Sequence, residues 1–356
     1  MLDLLYEKCL LKKERILKRI DEYQSPKEIA KNQWQEIAIS ESKGYANLAA
    51  IDGSSNYKEL RSFVIYALGA ESVIYNGQEI IKLREAEVDI LKPYRFTRDR
   101  IRFYMTILEN KIALETLRSK QIDFLLMDGS ILGDIIRPAT FAAQPNKEIT
   151  EKIISDYYPE LLKKQEKNAL GINCLDLFEK IEKEFKEQKV EAMMFLEYLE
   201  NLITIKNLLT YKEKIIGVSK TSQRNDYFKN LNVPDISVFE YTCKNQGYSK
   251  PIKIPVSKEV KRSFPIKNLD DFFRNIIFSI FYVRLEDKKN VLKFEIPKIL
   301  DSNEIENLLR AIKKISPEGY PYLLKKAHKD VIIKDRDIER MIKILGLIAK
   351  TGREML

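Results

Sequence analysis

The sequence AIDGSSN at residues 50–56 recurs in outline as LMDGSIL at residues 126–132. In each stretch a short apolar run leads into Asp-Gly-Ser, which is the pattern of a buried strand that ends in a loop. Asp52 and Asp128 are therefore each predicted at the end of a strand, with open space in front of the carboxylate. One such motif alone is typical of an ordinary turn, but two after buried strands favour a shared functional role.

The chain between and around these motifs predicts the order strand, strand, strand, helix, strand. Short connections between the first three strands favour antiparallel pairing, whereas the helix favours a parallel return of the fourth strand. This order predicts an α/β fold, in which a ribonuclease H-like mixed sheet is flanked by helices. If the first and fourth strands are neighbours, Asp52 and Asp128 lie side by side. The predicted strands are 46–52, 62–76, 78–90 and 122–128, and the helix is 97–120.

The remaining segments predict helices around this sheet. An N-terminal helical arm covers residues 1–45, with a second helix over 27–40 that includes Trp34, and it could cover the core, dimerise or dock a partner. A charged helical insertion is predicted at about 149–212. The core that contains both motifs extends over 46–335, and a C-terminal helix occupies 336–356.

The composition is that of a globular protein with a basic surface. The chain has 356 residues, 44% hydrophobic and 32% charged, and a net charge of +9. Such a balance favours polyanionic partners, chiefly nucleic acid. Three widely separated cysteines argue against a thiolate zinc site or a disulfide framework and fit the cytoplasm. The longest apolar run, IIFSIFYV at 276–283, is too short to span a membrane, and the N-terminus is unlike a signal peptide.

Paired carboxylates at strand ends predict a divalent metal site. Hydrolysis of a phosphodiester needs an activated water and a stabilised leaving oxygen, and two divalent cations can provide both. Hard oxygen ligands suit Mg²⁺ and Mn²⁺, and Asp52 and Asp128 supply two of them. A third carboxylate is expected from the crossover helix, where Glu109 and Glu115 are both candidates.

Three later residues are further candidates for the site. His328 is the single histidine of the chain, and an imidazole can bind Mn²⁺ or shuttle a proton. Tyr320 lies eight residues before it, about two helical turns. Lys220 ends the predicted strand IIGVSK, where a cation could hold the scissile phosphate.

At these residues the sequence resembles the NurA-domain nucleases of archaea and bacteria, whose core is ribonuclease H-like. The resemblance extends from about Ile51 to His328, and its order and spacing of motifs are specific. It implies that Glu109 rather than Glu115 is the helical glutamate. It also implies the following site: metal ligands Asp52, Glu109, Asp128 and His328, with Tyr320 and Lys220 beside them.

The same resemblance implies an activity and partners. A member of this family is expected to use Mn²⁺, with Mg²⁺ as an alternative, to degrade single- and double-stranded DNA from 5′ to 3′. It is also expected to cut single strands internally. Its partners would be a second copy of itself, in a homodimer, and a hexameric translocase of the HerA type that acts with it at double-strand breaks.

Two other functions fit the same residues. One is an RNA nuclease or Argonaute-like enzyme with the same core, since recognition of a 2′-hydroxyl depends on loop geometry. The other is a non-catalytic clamp that threads DNA for a motor, in which the aspartates would be turn residues. Cleavage of matched DNA and RNA substrates separates these alternatives.

Overall fold

The computed structural model describes residues 1–21, 27–40, 46–92, 95–137, 145–229, 231 and 233–347. Within these ranges the chain builds one mixed sheet of ten strands with helices on both faces. No helix in them is long and apolar enough to cross a bilayer. The last residues of the expected C-terminal helix, 348–356, lie outside the described part of the chain.

The strands follow the predicted order around the two aspartates. β2, β3 and β4 form an antiparallel meander, and β5 runs parallel to β2 on its other side. The full order is β1-β7-β9-β10-β6-β5-β2-β3-β4, with β8 also paired to β9. The strands are β1 (Trp34–Glu36), β2 (Leu48–Glu59), β3 (Val64–Tyr75), β4 (Ile80–Leu91), β5 (Phe124–Asp128), β6 (Ile215–Ser219), β7 (Gly247–Ser249), β8 (Ile252–Pro255), β9 (Ile277–Arg284) and β10 (Leu292–Ile296).

Helices cover both faces of the sheet, and four of them fill most of the predicted insertion between β5 and β6. The crossover helix between β4 and β5 is α3. The helices are α1 (Leu2–Asp21), α2 (Lys27–Gln33), α3 (Thr97–Ser119), α4 (Ile131–Ile136), α5 (Lys147–Lys152), α6 (Tyr158–Lys167), α7 (Phe178–Glu184), α8 (Lys189–Leu208), α9 (Asp235–Thr242), α10 (Val256–Glu259), α11 (Lys267–Arg274), α12 (Ser302–Lys313), α13 (Tyr322–Val331) and α14 (Asp335–Ile344).

The two Asp-Gly-Ser motifs differ in their local structure. Asp128 is the last residue of β5, as predicted. The prediction that Asp52 also ends a strand is wrong, because β2 continues through the motif to Glu59. The whole extension pairs with β3, and this pairing along twelve residues keeps Gly53 and Ser54 extended.

The second N-terminal helix is shorter than predicted. α2 ends at Gln33, and Trp34 begins a three-residue strand instead of lying in a helix over 27–40. That strand pairs with Ser249 and its neighbours more than 200 residues away. Since the pairing is entirely non-local, the local sequence carried no signal for it.

The sheet separates two hydrophobic cores. On one face Ile51 and Leu125 pack with α3 and α8, and on the other face Ala50 and Leu126 pack with α12 and α13. We refer to these as the α3 face and the α13 face. Because strand side chains alternate between faces, Asp52 and Asp128 both belong to the α13 face.

Buried ion pairs fix the crossover helix against α8. The guanidinium of Arg100 donates to Glu197 at 2.7 Å, and both side chains are fully buried. About three turns further along α3, Lys111 donates to Glu200 at 2.7 Å. Removing one partner of such a pair typically costs about 3–5 kcal/mol, because the other charge is left uncompensated. The rotation of α3, and hence the side from which each of its acids projects, is therefore fixed.

Candidate metal centre

Three side chains of the α13 face converge where β5 ends. The nearest carboxylate oxygens of Asp52 and Asp128 and a ring nitrogen of His328 all lie within 4.8 Å of one another. The Nδ1 atom of His328 is 2.7 Å from Oδ2 of Asp52. Strand order brings the aspartates together, and α13, which lies across β2 and β3, brings the histidine.

An ion network holds α13 in this position. Lys82 on β4 bonds to Glu71 at 3.1 Å and to Asp330 on α13, and Lys326 also bonds to Asp330. Glu71 stands directly opposite Asp52 in the β2–β3 register, so the network starts beside the aspartate. One flank of α13 is thereby tied to β3 and β4, while its other flank presents His328.

The environment of Asp52 resists its negative charge. Burial and the nearby carboxylate of Asp128 raise the pKa of Asp52, whereas the hydrogen bond from His328 opposes this rise. Its other oxygen accepts the backbone N–H of Gly53 at 2.9 Å. The side chain of Asp52 is 9% exposed and that of His328 is 56% exposed, so the histidine forms the solvent side of the centre.

Glu109 approaches the centre from the α3 face, but it lies outside the group of three side chains within 4.8 Å of one another. Its carboxylate lies against Gly53, where a Cβ atom would be 2.5 Å from Oε1 of Glu109. Gly53 is thus the gap in β2 through which the glutamate approaches the aspartates. Burial and the charges of Asp134, Asp52 and Asp128 raise the pKa of Glu109 well above its ordinary value. Glu115 lies six residues further along, on a different side of α3.

Lys220 and Tyr320 lie on the opposite side of Asp128. The ammonium of Lys220 donates to Oδ2 of Asp128 at 2.9 Å and lies 5.0 Å from the centre of the Tyr320 ring. Burial opposes the charge of Lys220, but its hydrogen bond to Asp128 and the neighbouring Tyr320 raise its pKa overall. Burial and Asp128 raise the pKa of Tyr320 to about 12, so its hydroxyl stays protonated at neutral pH.

Two acids near the centre were not among the site residues predicted from the sequence. Asp134 on α4 lines a small cleft with Glu109 and Asp128, and burial raises its pKa to about 6, although Arg137 and Arg102 oppose this. Glu295 is fully buried on β10, pairs with Lys293 and accepts hydrogen bonds from Ser130 at 2.7 and 2.9 Å. An acid inside the apolar run KFEIP was an available signal for Glu295.

Glu295 fixes the loop that follows β5 in the second Asp-Gly-Ser motif. Ser130 caps α4 by accepting the N–H of Gly133 at 2.9 Å, and Glu295 also accepts the N–H of Leu132 at 3.2 Å. These bonds fix the loop directly after Asp128. The buried Lys293–Glu295 pair on β10 therefore helps to fix the position of Asp128.

The converging side chains fit a hard divalent cation. Ligands about 2.1 Å from an octahedral ion lie about 3.0 Å apart in cis positions and about 4.2 Å apart in trans positions. Asp52, Asp128 and His328 lie within 4.8 Å of one another, so shifts of about 1 Å bring them to these spacings. Two carboxylates and one imidazole are a donor set that suits Mn²⁺. A cation would also relieve the repulsion that raises the pKa of Asp52 and of Glu109.

Comparison with known proteins identifies the family of the chain. The family model of the NurA domain matches residues 46–333. This chain belongs to the NurA family. It is 31% identical to the probable DNA double-strand break repair nuclease NurA of Methanocaldococcus jannaschii, over 99% of this chain and 92% of the relative.

Solved structures of the family share the fold. The crystal structure of the NurA nuclease from Sulfolobus solfataricus is 25% identical, covers 97% of both chains and superposes with a TM-score of 0.74. A NurA structure bound to dAMP and manganese, 17% identical, covers 99% of both chains with a TM-score of 0.65 and shows the fold alone. The expected family and the expected α/β mixed-sheet fold are confirmed.

Replacing Gly53 by alanine tests whether Glu109 must reach the cleft. The new methyl group would meet the end of a flexible side chain, so we expect the fold to persist and the carboxylate to move away. Cation affinity should fall about 10- to 100-fold, as it does when the orientation of a metal ligand is lost. Isothermal titration calorimetry with Mn²⁺ measures the affinity of both proteins for the cation.

The control is Gly69→Ala on β3, where the nearest atom to an added Cβ is 3.9 Å away. Equal Mn²⁺ affinities for the two variants would show that Glu109 takes no part in binding the cation.

The raised pKa of Glu109 predicts a stability effect that depends on pH. Because the folded chain holds this proton more tightly than the unfolded chain, the free energy of unfolding falls as pH rises above the ordinary pKa of glutamate. Glu109→Gln removes this effect, so in EDTA the variant should melt at a higher temperature than the wild type at pH 8, with a smaller difference at pH 5. Thermal melts of both proteins, with Glu115→Gln as the matched control, measure the difference. A difference that is the same at both pH values would contradict the account.

Proposed function

We propose that this chain is a metal-dependent nuclease that cleaves DNA. The observation that carries the proposal is the convergence of Asp52, Asp128 and His328 within 4.8 Å in a chain of the NurA family. Curated relatives are named as DNA double-strand break repair nucleases. One NurA structure holds dAMP and manganese, which supports Mn²⁺ as the cofactor and a nucleotide as the product.

The ligands of the cation would be Asp52, Asp128, His328 and Glu109. When bound, the cation supplies an activated water and stabilises the charge that develops on the leaving oxygen. The new bond forms between the water oxygen and phosphorus, and the bond from phosphorus to the leaving ribose oxygen breaks. The proton of the water would leave to solvent on the exposed side of the centre, where His328 is more than half exposed, and the leaving oxygen would take up a proton from solvent.

Lys220 and Tyr320 would position the substrate. The ammonium of Lys220 is held at the mouth of the centre by Asp128 and by the Tyr320 ring. A cation fixed there can bind a non-bridging phosphoryl oxygen and stabilise it as negative charge accumulates in the transition state. The protonated hydroxyl of Tyr320 can donate to the same phosphate.

The wider activity is proposed from the family resemblance. It supports 5′ to 3′ digestion of single- and double-stranded DNA, internal cleavage of single strands, and a role in resecting broken DNA ends. It also supports assembly as a homodimer and cooperation with a hexameric translocase of the HerA type. The net charge of +9 supports a polyanionic substrate.

Digestion of single-stranded DNA labelled at either its 5′ or its 3′ end tests the proposal. We expect cleavage with Mn²⁺, weaker cleavage with Mg²⁺ and none with EDTA. Asp52→Asn, Asp128→Asn and Glu109→Gln should each lower the rate at least about 100-fold, because loss of a direct ligand costs no less than loss of its orienting partner. Glu115→Gln, on another side of the same helix as Glu109, should retain the wild-type rate.

Other outcomes of this assay have definite meanings. Full activity of Asp128→Asn would exclude the proposed centre. Faster cleavage of a matched RNA would assign the enzyme to RNA, and DNA binding without cleavage in any metal would favour the clamp.

A further inference from the structure

A row of arginines on α3 continues the line of Glu109. Arg98, Arg102 and Glu109 are spaced by four and seven residues, so their side chains leave the helix within about 40° of one another. Arg102 is about 10.5 Å and Arg98 about 16.5 Å from Glu109 along the helix axis. Both arginines are exposed, and neither forms a salt bridge with a carboxylate in the described part of the chain.

Arg137 joins the row at the end nearer to the metal centre. It follows α4, and its guanidinium is 3.2 Å from Asp134, the acid that lies beside Glu109. Arg262 donates to the backbone carbonyl of Arg137 at 2.8 Å, which brings another guanidinium close. Burial and the like charge of Arg102 lower the pKa of Arg137, although Asp134 partly offsets them. The guanidinium groups of Arg137 and Arg102 both act on Asp134, so this end of the row carries two cations beside one acid.

The extended part of β2 runs beside the row. β2 pairs with β5 as far as Ile51, after which its edge on that side pairs with no other described strand. Gly53 on this extension lies against Glu109, and the hydroxyl of Tyr57 accepts a hydrogen bond from Arg98 at 3.3 Å. This edge of β2 and the arginines of α3 therefore border one path from the metal centre towards Arg98.

We propose that Arg98 and Arg102 bind backbone phosphates of the DNA strand whose scissile phosphate lies at the metal centre. The inference rests on the proposed function and adds the course of the strand. One strand of a duplex rises about 3.4 Å per nucleotide, so the two arginines contact phosphates about three to five nucleotides from the cleaved bond. Arg137 closes the path next to Asp134.

The arrangement favours a nucleic-acid strand over an acidic protein. The row begins at the candidate catalytic glutamate and keeps to one line, as the regular charges of a strand require. Arginine forks also match phosphate geometry in two-point hydrogen bonds. An acidic protein docked here would instead cover the entrance to the centre.

Binding of a 5′-fluorescein 20-mer of deoxythymidine in EDTA tests the proposal without catalysis. We expect Arg98→Gln and Arg102→Gln each to weaken binding about tenfold, as the loss of a charged hydrogen bond does. Each should also reduce the slope of log K against log salt by about 0.7, the value for one phosphate contact of a single strand. Arg118→Gln is the matched control, because Arg118 is an exposed arginine of the same helix that lies about 180° around from Glu109.

A length series separates this proposal from the proposed function. With Mn²⁺, the double variant Arg98→Gln/Arg102→Gln should show a raised KM on the 20-mer with kcat nearly unchanged. Cleavage of the dinucleotide, which is too short to reach the arginines, should equal that of the wild type. Equal loss on both substrates, or wild-type affinity and salt slope in EDTA, would overturn the proposal. Absence of cleavage by the wild-type protein would instead contradict the proposed function, and the binding measurement would still decide the course of the strand.

Discussion

Electrostatic repulsion among carboxylates is the constraint around which this structure is organised. Asp52 and Asp128 are brought together at the end of β5 with Glu109 nearby, and burial and mutual repulsion raise the pKa of Asp52 and of Glu109. Left to themselves, such groups would separate or take up protons. The fold keeps them close together, and a divalent cation bound there would relieve the repulsion between them.

Ion pairs outside the centre, most of them buried, counter this repulsion. Arg100–Glu197 and Lys111–Glu200 fix the rotation of α3. Glu295, which pairs with Lys293, fixes the loop after Asp128. Lys82 bonds to Asp330 on α13 and to Glu71, which lies opposite Asp52 on β3. The first two pairs couple α3 to α8, Lys82 couples α13 to β4, and Glu295 couples the loop after β5 to β10 through its hydrogen bonds to Ser130. Their role is geometric, because buried ion pairs contribute little net stability but are costly to break. The centre is therefore preorganised by side chains that lie outside it.

The sequence predicted the part of the site that depends on strand order. Two similar motifs after apolar runs, with a helix between them, were enough to place Asp52 and Asp128 together. The choice between Glu109 and Glu115 depended on the rotation of α3. Contacts with the distant helix α8 determine that rotation, so the local sequence could not predict it and the family resemblance decided the choice. His328 is 276 residues from Asp52, and no local pattern relates them. Trp34 and the continuation of β2 were wrongly predicted because distant strand pairing overrides local preference.

The location of a bound manganese ion tests the central claim most directly. Crystals soaked with Mn²⁺ and measured for anomalous scattering should show a peak within coordination distance of Asp52 and Asp128, with His328 and Glu109 beside it. A peak at any other acidic cluster, or no peak here at saturating Mn²⁺, would contradict the account. In that case the clustered carboxylates would have a purely structural role.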